Sequence, residues 1–289
     1  MYAVGAKHQD TVRVLLDAGA TITGSCARGY TALHRACCNF DECIWNSIVS
    51  SSKDISVNLE SQEVRFHKIT ALRWAISRNY VDGVNLLPKR EDIIVYPDDL
   101  DSAATLGYSA ILQTLIDHGF AHDHDKNYPT VLLSYLLMRA LCFGKVGSAN
   151  VLLNHGANLE WRDHMTALHW ASRLGYENLV KDLVSRTANI NAICRLFDCK
   201  PVDDAASHGH LDLALYLLEQ GDDESAPLDR TLMPQLLGQA CEIESLKAVR
   251  CLVNAGAPLF LRDGERQNPR QKALSKGHHG IVEFIDQYI

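Results

Sequence analysis

Apolar residues between His164 and Asn191 fall into two short runs with helical spacing. The first run holds Leu168, Ala171 and Leu174, and the second holds Leu179, Val180, Leu183 and Val184. Residues three or four positions apart share one face of a helix, so each run predicts a short amphipathic helix. Gly175 separates the runs and predicts a tight turn between antiparallel helices. Thr166 precedes the first run and is predicted to cap its helix.

The same stretch resembles one ankyrin repeat. That repeat has the pattern Thr-Pro-Leu-His-x-Ala-Ala, then Gly-His, a Val-x-x-Leu-Leu helix and a Gly-Ala-Asp-x-Asn tail. The matching residues are Thr166 to Ser172, Gly175 with Tyr176, Leu179 with Val180, and Ala188 to Asn191. The resemblance implies that Leu168 and Ala171 pack the first helix on its partner, and that His169 hydrogen-bonds within the turn and between repeats. One such hairpin cannot bury both of its faces, so it has to stack on further copies.

Copies of this pattern extend over essentially the whole chain. We therefore predict an all-α fold, an ankyrin-repeat solenoid of stacked helix–turn–helix repeats, as a single domain over residues 1–289. The approximate repeats are 1–23, 24–58, 59–95, 96–122, 123–160, 161–192, 193–225, 226–260 and 261–289. Their spacing is near the ~33 residues of an ankyrin repeat.

Several repeats depart from the pattern. The first has little in front of its second helix, so either it is a stub or the chain is a piece of a longer one. Arg73 replaces the motif histidine of the third repeat, and Pro88 is expected to end that repeat's second helix early. The fourth repeat matches weakly over its first helix. In the fifth, the apolar stretch from Val131 to Phe143 predicts a lengthened first helix.

Composition narrows the possible partners and location. The formal net charge is −7, whereas a general nucleic-acid binder carries a basic excess, so no nucleic-acid partner is expected. No apolar run approaches the roughly 20 residues of a membrane helix, and the N-terminus lacks the core of a signal peptide. The nine cysteines show no Cys-x-x-Cys spacing, and Cys142, Cys241 and Cys251 occupy positions where the repeat has a small apolar residue. Reduced, buried thiols and a cytoplasmic or nuclear location, or both, are expected.

The outward positions of each first helix and the turn tips are expected to line a concave face, where residues not needed for packing can serve binding. Aromatic residues alternate there with arginines, and both types are enriched at binding hot spots. The predicted partner-binding residues are Arg35, Phe66, His67, Trp74, Arg78, Arg139, Trp170, Arg173 and His208. Phe197, Asp204 and Ser207 fall at further outward positions. The expected partner is another protein or peptide, acidic or extended; alternatively, Trp74 and Trp170 merely pack on adjacent repeats.

No catalytic, cofactor or metal site is predicted. His122 and His124 fall in a loop after a glycine turn, where such residues are usually solvated. The chain has no Gly-x-Ser-x-Gly elbow and no phosphate-binding glycine loop. Asp203, Asp204 and His208 share one predicted helix and could perform acid–base work, although a helix-surface ion pair is the simpler interpretation.

The sequence thus predicts a non-catalytic protein–protein interaction module that binds a partner through the concave face of the solenoid. One alternative is a substrate-recruiting or scaffolding arm of a larger complex or polypeptide. Another is an atypical enzyme with a pocket in the irregular repeats three to five. No cofactor is expected, and the module is expected to be a monomer that does not bind membranes.

Overall fold

The computed structural model describes residues 1–22, 24–26, 30–38, 41–50, 70–86, 95–119, 128–161, 165–221, 226–227, 229–262 and 267–289. These residues form eighteen α-helices, α1 to α18, which confirms the predicted all-α fold. Within the described ranges, every helix is too short or too polar to cross a bilayer.

The helices follow one another as short hairpins. The first eight are α1 (Tyr2–Gly5), α2 (Gln9–Asp17), α3 (Ala32–Cys38), α4 (Glu42–Ser50), α5 (Ala71–Ser77), α6 (Val81–Leu86), α7 (Pro97–Leu106) and α8 (Ser109–His118). The next four are α9 (Tyr128–Cys142), α10 (Val146–Asn154), α11 (Ala167–Arg173) and α12 (Glu177–Ser185). The last six are α13 (Pro201–Ser207), α14 (Leu211–Gln220), α15 (Met233–Glu242), α16 (Leu246–Asn254), α17 (Pro269–Lys276) and α18 (His279–Ile285).

The chain divides into two compact bodies. The N-terminal body comprises Met1–Leu132 and Gly147–His155, and the C-terminal body comprises Leu133–Val146 and Gly156–Ile289. In the N-terminal body, the first helices of successive hairpins contact one another, α1 on α3, α3 on α5 and α5 on α7. In the C-terminal body, α11 packs on α13 and α15 on α17, while the second helices α14, α16 and α18 pack in the same order. Each body is therefore a stack of helical hairpins.

The sixth hairpin forms as its apolar pattern predicts. The side chains of Leu168, Ala171, Leu179, Val180 and Leu183 are all buried, while Leu174 and Val184 lie at the edge of the core. Burying a leucine or valine side chain contributes about 1.5–3 kcal/mol, which accounts for the hairpin's need to stack. Gly175 joins the two helices with φ +70°, and a Cβ there would lie 2.5 Å from the ring of His210 in the next hairpin.

Helix caps explain how the irregular repeats still fold. In hairpin six, Nδ1 of His169 lies 2.8 Å from Oγ1 of Thr166, which begins the helix as predicted. At the equivalent position of α7 stands Asp99, whose Oδ2 accepts a hydrogen bond from the Tyr96 backbone N–H at 3.0 Å. The other carboxylate oxygen, Oδ1, accepts from Nε of Arg73 at 2.8 Å. An aspartate thus both caps the fourth hairpin and ties it to the third, where Arg73 has replaced the histidine.

The predicted lengthening of α9 is confirmed, since this helix spans 15 residues. The cysteine in its last turn, Cys142, does not have the buried position that was expected for it. Cys241 and Cys251 are buried, but Cys142 is exposed. Ala140 and Leu141 occupy the buried face of that turn, and the helical rotation therefore directs Cys142 outward.

Candidate functional site

Two of the predicted partner-binding residues of the N-terminal body, Trp74 and Arg78, form a small group with Tyr30. The ring of Trp74 lies 4.8 Å from the ring of Tyr30, between centroids, and the Arg78 guanidinium lies 5.1 Å from the Trp74 centroid. Trp74 therefore does pack on a residue of the preceding repeat. Arg35 is exposed and lies against α1, since a Cβ on Gly5 would come within 3.2 Å of its Nε. Phe66 and His67 lie outside the described residues.

The C-terminal body brings Trp170 and Arg173 together with a residue of the following loop. The two side chains are three positions apart on α11 and so share one face of the helix. The Arg173 guanidinium carbon lies 6.0 Å from the Trp170 ring centroid and 5.8 Å from that of Phe197. Arg139 on α9 lies instead over Phe143, at 5.3 Å.

A tight loop over residues 193–199 positions Phe197. Backbone hydrogen bonds close this loop, from Cys194 N–H to the Cys199 carbonyl at 2.8 Å and from Asp198 N–H to the Cys194 carbonyl at 3.0 Å. Nε2 of His169 lies 3.1 Å from the same Cys199 carbonyl oxygen and anchors the loop to α11. The loop holds two large apolar side chains in solvent, Leu196 at 58% exposure and Phe197 at 61%.

One cavity lies on each side of the Arg173–Phe197 contact. The first, here called the apolar cavity, has a volume of about 280 Å³ and is lined by Met138, Cys142, Met165, Trp170, Arg173, Leu196 and Phe197. The second, here called the acidic cavity, has a volume of about 550 Å³ and is lined by Arg173, Phe197, Asp198, Cys199, Asp203, Asp204, Ser207, His208, Asp229 and Leu232. Both volumes are within or close to the range of ligand pockets, which are typically ~300–1,000 Å³. Arg173 and Phe197 form a wall common to both cavities.

Two adjacent aspartates of α13 have different roles. Oδ2 of Asp203 accepts from the Lys200 backbone N–H at 2.7 Å, and Oδ1 accepts from the Asp229 N–H at 3.2 Å. Asp203 therefore caps its helix in the manner of Asp99. Asp204 is only 5% exposed, and the donor to its Oδ2 is the Cys199 thiol at 3.6 Å, which is a weak donor.

The protonation of this cluster follows from burial and charge. Burial raises the pKa of Asp204 to about 6, while the positive charge of Arg173, the Cys199 thiol and His208 act in the opposite direction. Burial, followed by the charge of Asp204, also raises the pKa of the Cys199 thiol, so this cysteine stays protonated and unreactive at neutral pH. At the rim, the hydroxyl and the N–H of Thr231 lower the pKa of the Asp229 carboxyl.

The structure brings together three side chains that commonly bind metals. Ligand atoms of His169, Cys199 and Asp204 lie within 4.8 Å of one another. However, the backbone N–H of Thr166 lies 3.3 Å from Nδ1 of His169 and can only donate, so Nδ1 is the acceptor. Nε2 then carries the ring proton and donates it to the Cys199 carbonyl. Because a metal ligand needs a nitrogen lone pair, the hydrogen bonds of this imidazole do not fit a metal site.

The acid–base alternative also finds little geometric support. Nδ1 of His208 lies 2.9 Å from the backbone carbonyl oxygen of Asp204 and 3.1 Å from the Ser207 hydroxyl. The imidazole is thus directed to the end of its own helix rather than to the carboxylate. The enzyme alternative placed a pocket in repeats three to five, part of which lies outside the described residues. The apolar cavity reaches α9 of the fifth repeat through Met138 and Cys142, whereas the acidic cavity lies beside α11 and α13.

Sequence reasoning identified part of this site. It included Trp170, Arg173, Phe197, Asp204, Ser207 and His208 among the outward positions. It did not single out Leu196, Asp198, Cys199 or Asp229 because these lie in loops between hairpins, where no periodicity marks a face. Met138 was also absent, since the lengthened α9 has no motif to set its register.

Comparison with known proteins assigns the family. The family model of ankyrin repeats matches residues 1–96 and 100–194. The chain belongs to the ankyrin-repeat family. Ankyrin repeats are in general protein–protein interaction modules, and their fold is typically non-catalytic.

Similar proteins share the repeats over part of their length. Ankyrin repeat and KH domain-containing protein mask-1 of Caenorhabditis elegans is 27% identical over 174 residues, which cover 50% of this chain and 7% of that protein. Ankyrin repeat and SOCS box protein 6 is 31% identical in Pongo abelii and 30% identical in Homo sapiens, each over 143 residues, or 46% of this chain and 34% of that protein. The chain thus spans about a third or less of the length of these relatives. The crystal structure of the human ASB11 ankyrin repeat domain is 19% identical, with a TM-score of 0.45, and covers 74% of this chain and 96% of its own.

Proposed function

We propose that this chain is a non-catalytic module that binds a partner protein or peptide through a groove on its C-terminal body. This partner groove consists of the apolar cavity, the acidic cavity and the wall of Arg173 and Phe197 between them. The observation that carries the proposal is the exposure of Phe197, at 61%, and of Leu196, at 58%, directly beside the half-buried Trp170.

The exposed apolar side chains of Leu196 and Phe197 lie on a loop whose backbone is fixed by hydrogen bonds. Two hydrogen bonds to the Cys199 carbonyl, from the Cys194 backbone N–H and from Nε2 of His169, fix the backbone of the loop that carries these side chains. Clustered apolar residues exposed on a rigid scaffold are typical of interaction sites, and covering them releases about 25 cal/mol for each Å² of apolar surface removed from water. Because the backbone of the loop is already ordered, a partner would lose part of this gain only to ordering the side chains of the site.

Aromatic and arginine side chains supply the expected anchors. The Arg173 guanidinium carbon lies 6.0 Å from the Trp170 centroid and 5.8 Å from the Phe197 centroid, and each such cation–aromatic contact contributes about 0.5–1 kcal/mol when exposed. Desolvation by a partner strengthens such contacts, which is one reason why arginine and tryptophan are enriched at hot spots. The scattered cysteines support action in the cytoplasm, the nucleus or both, as part of the same proposal.

Affinity capture from a native cell extract tests the groove. Phe197→Ala removes the exposed ring and leaves the buried core intact, and the matched control is Phe260→Ala, another exposed aromatic, at 69%, that lines neither cavity. We expect proteins captured by the wild type to be lost with Phe197→Ala and retained with Phe260→Ala, with equal circular dichroism for all three chains. Equal capture by both variants would place the function elsewhere.

A second candidate function is a recruiting or scaffolding arm. The relatives favour it, because each is named for a further element beside its ankyrin repeats, a KH domain in one case and a SOCS box in the other. In this role the partner groove would hold the recruited protein, and a second surface would contact the rest of the assembly. Capture of two proteins, of which Phe197→Ala removes only one, distinguishes this arrangement from a simple binding module.

A further inference from the structure

The acidic cavity has an excess of negative charge that the apolar cavity lacks. Four carboxylates line it, from Asp198, Asp203, Asp204 and Asp229, against one guanidinium, that of Arg173. The ammonium of the buried Lys200, nearby, donates to the Ala226 carbonyl at 3.4 Å, and His208 in the lining acts on Asp204 as a further positive charge. The cavity therefore favours a cation over an anion or a neutral group.

Three of the four carboxylates remain able to bind a ligand. Asp203 uses both oxygens to accept backbone N–H groups and serves the fold. Asp198 and Asp229 are exposed at the rim, and Asp229 uses only Oδ1 to accept the N–H and the hydroxyl of Thr231. Asp204 is buried, at 5% exposure, and its donor is the weak thiol of Cys199. Because burial has removed water from this carboxylate, a nearby cation would lower its electrostatic free energy strongly.

We infer that the acidic cavity accepts a cationic side chain, an arginine or a lysine, from the partner segment that occupies the groove. The inference rests on the proposed function and specifies the chemistry of its partner. The charged group would lie among Asp198, Asp204 and Asp229, and the Phe197 ring would form an apolar wall along its methylene stem. The volume of about 550 Å³ holds a whole basic residue with its backbone. A neighbouring apolar residue of the same segment would enter the apolar cavity.

The arginine in the groove does not reverse this conclusion. Arg173 alone would favour an acidic partner, and the sequence pattern pointed in that direction. In the structure its guanidinium lies between two aromatic rings, and its charge already acts on Asp204. An acidic side chain entering the cavity would face four carboxylates for one guanidinium and one imidazole.

Selection from a phage-displayed random peptide library, followed by binding measurements on synthetic peptides, tests the inference with the full chain. We expect the selected peptides to share a basic residue next to an apolar one. Replacing that basic residue by citrulline or norleucine, which keep the length and remove the charge, should weaken binding at least about tenfold. The double variant Asp198→Asn/Asp204→Asn should weaken it by a similar factor. Asn tolerates the positive φ of 48° at position 198, so the backbone of the loop is preserved.

The matched control removes the same number of negative charges, two, from a helix outside both cavities. Glu177→Gln/Asp182→Asn neutralises two exposed carboxylates of α12, which line neither cavity, and should leave binding unchanged. Peptides that depend on Phe197 but lack a basic residue, carry an acidic one, or bind equally to the Asp198→Asn/Asp204→Asn chain would overturn this inference and leave the proposed function standing. Selection that yields no peptide dependent on Phe197 would overturn both.

Discussion

Removing the charge of Asp204 should stabilise the protein at neutral pH. The carboxyl is buried, and its pKa of about 6 in the folded state compares with an ordinary value of 3.8. Above about pH 6 the folded chain holds an ionised carboxylate that would be better solvated in the unfolded chain. Asp204→Asn keeps the shape of the side chain and removes this cost.

The magnitude follows from the pKa difference. Each pKa unit corresponds to about 1.4 kcal/mol, and a difference of about two units gives an upper value near 3 kcal/mol. The cavity is open to water, which screens part of the cost, so we expect Asp204→Asn to raise the free energy of unfolding by about 1–3 kcal/mol at pH 8. The charges of Arg173, Asp203 and His208 act on the carboxyl in both directions and are included in this pKa.

The free energy of unfolding of the wild type should depend on pH in a definite direction. Below pH 3.8 the carboxyl is protonated in both states, and the wild type and the variant should be equally stable. Between about pH 4 and pH 6 the unfolded chain releases the proton while the folded chain retains it, so wild-type stability falls as the pH rises. Above about pH 6 the difference between the two chains should stay constant.

Urea unfolding followed by circular dichroism, at several values between about pH 4 and pH 8, measures this difference. Asp182→Asn is the control, because that carboxylate is exposed in a pair with Arg186 and should change stability by less than about 0.5 kcal/mol at any pH. A difference between wild type and Asp204→Asn that is independent of pH, or a variant less stable than the wild type at pH 8, would refute the reasoning.

Two further predictions concern the hairpin stack of each body. Asp99→Ala should reduce the free energy of unfolding by about 2–4 kcal/mol, because it uncaps α7 and leaves the Arg73 guanidinium without its buried partner. Urea unfolding measures this loss, and a change below about 0.5 kcal/mol would contradict the prediction. Gly175→Ala should cost about 2–4 kcal/mol, since it adds a contact at 2.5 Å with the His210 ring to the strain of a positive φ. Gly256→Ala, with φ +88° and open space around the added Cβ, should cost only about 1 kcal/mol in the same assay; equal losses at the two glycines would show that the ring contact is unimportant.

The sequence was most informative where the role of a residue depends on its position in the repeat pattern. Thr166 and His169 form the predicted cap, and Nε2 of His169 makes the predicted bond to the next repeat. Gly175 adopts the positive φ that the turn requires. These features depend on local chemistry at fixed spacing, and a repeat pattern reports such chemistry directly.

The fourth repeat shows where pattern matching was less informative. Its first helix matched weakly because Tyr96, Asp98 and Asp99 stand where the motif has threonine, leucine and histidine. Asp99 and the motif histidine both offer an acceptor to the backbone N–H at the start of the helix, so the cap survives the substitution. A search for acceptors at the third helical position, rather than for histidine, would have found Asp99 and Asp203.

The partner groove depended on information that a pattern does not carry. Leu196, Asp198 and Cys199 belong to a loop whose conformation is set by hydrogen bonds to residues far apart in the sequence, such as His169. The raised pKa of Asp204 likewise comes from burial among residues of α11, the loop and α13. These residues lie close together only in the folded stack of hairpins, so the sequence pattern alone does not identify them.

The wall between the two cavities has an energetic consequence of its own. A side chain that entered the apolar cavity would restrict the rotamers of Phe197 and Arg173, and both residues also line the acidic cavity. The entropy of ordering them is lost once, by whichever group of the partner arrives first, so the second group binds to a wall already set. Occupancy of one cavity would then be thermodynamically linked to occupancy of the other, and such a linkage is reciprocal. A segment that presents both groups together would bind more tightly than the separate affinities of its two side chains suggest.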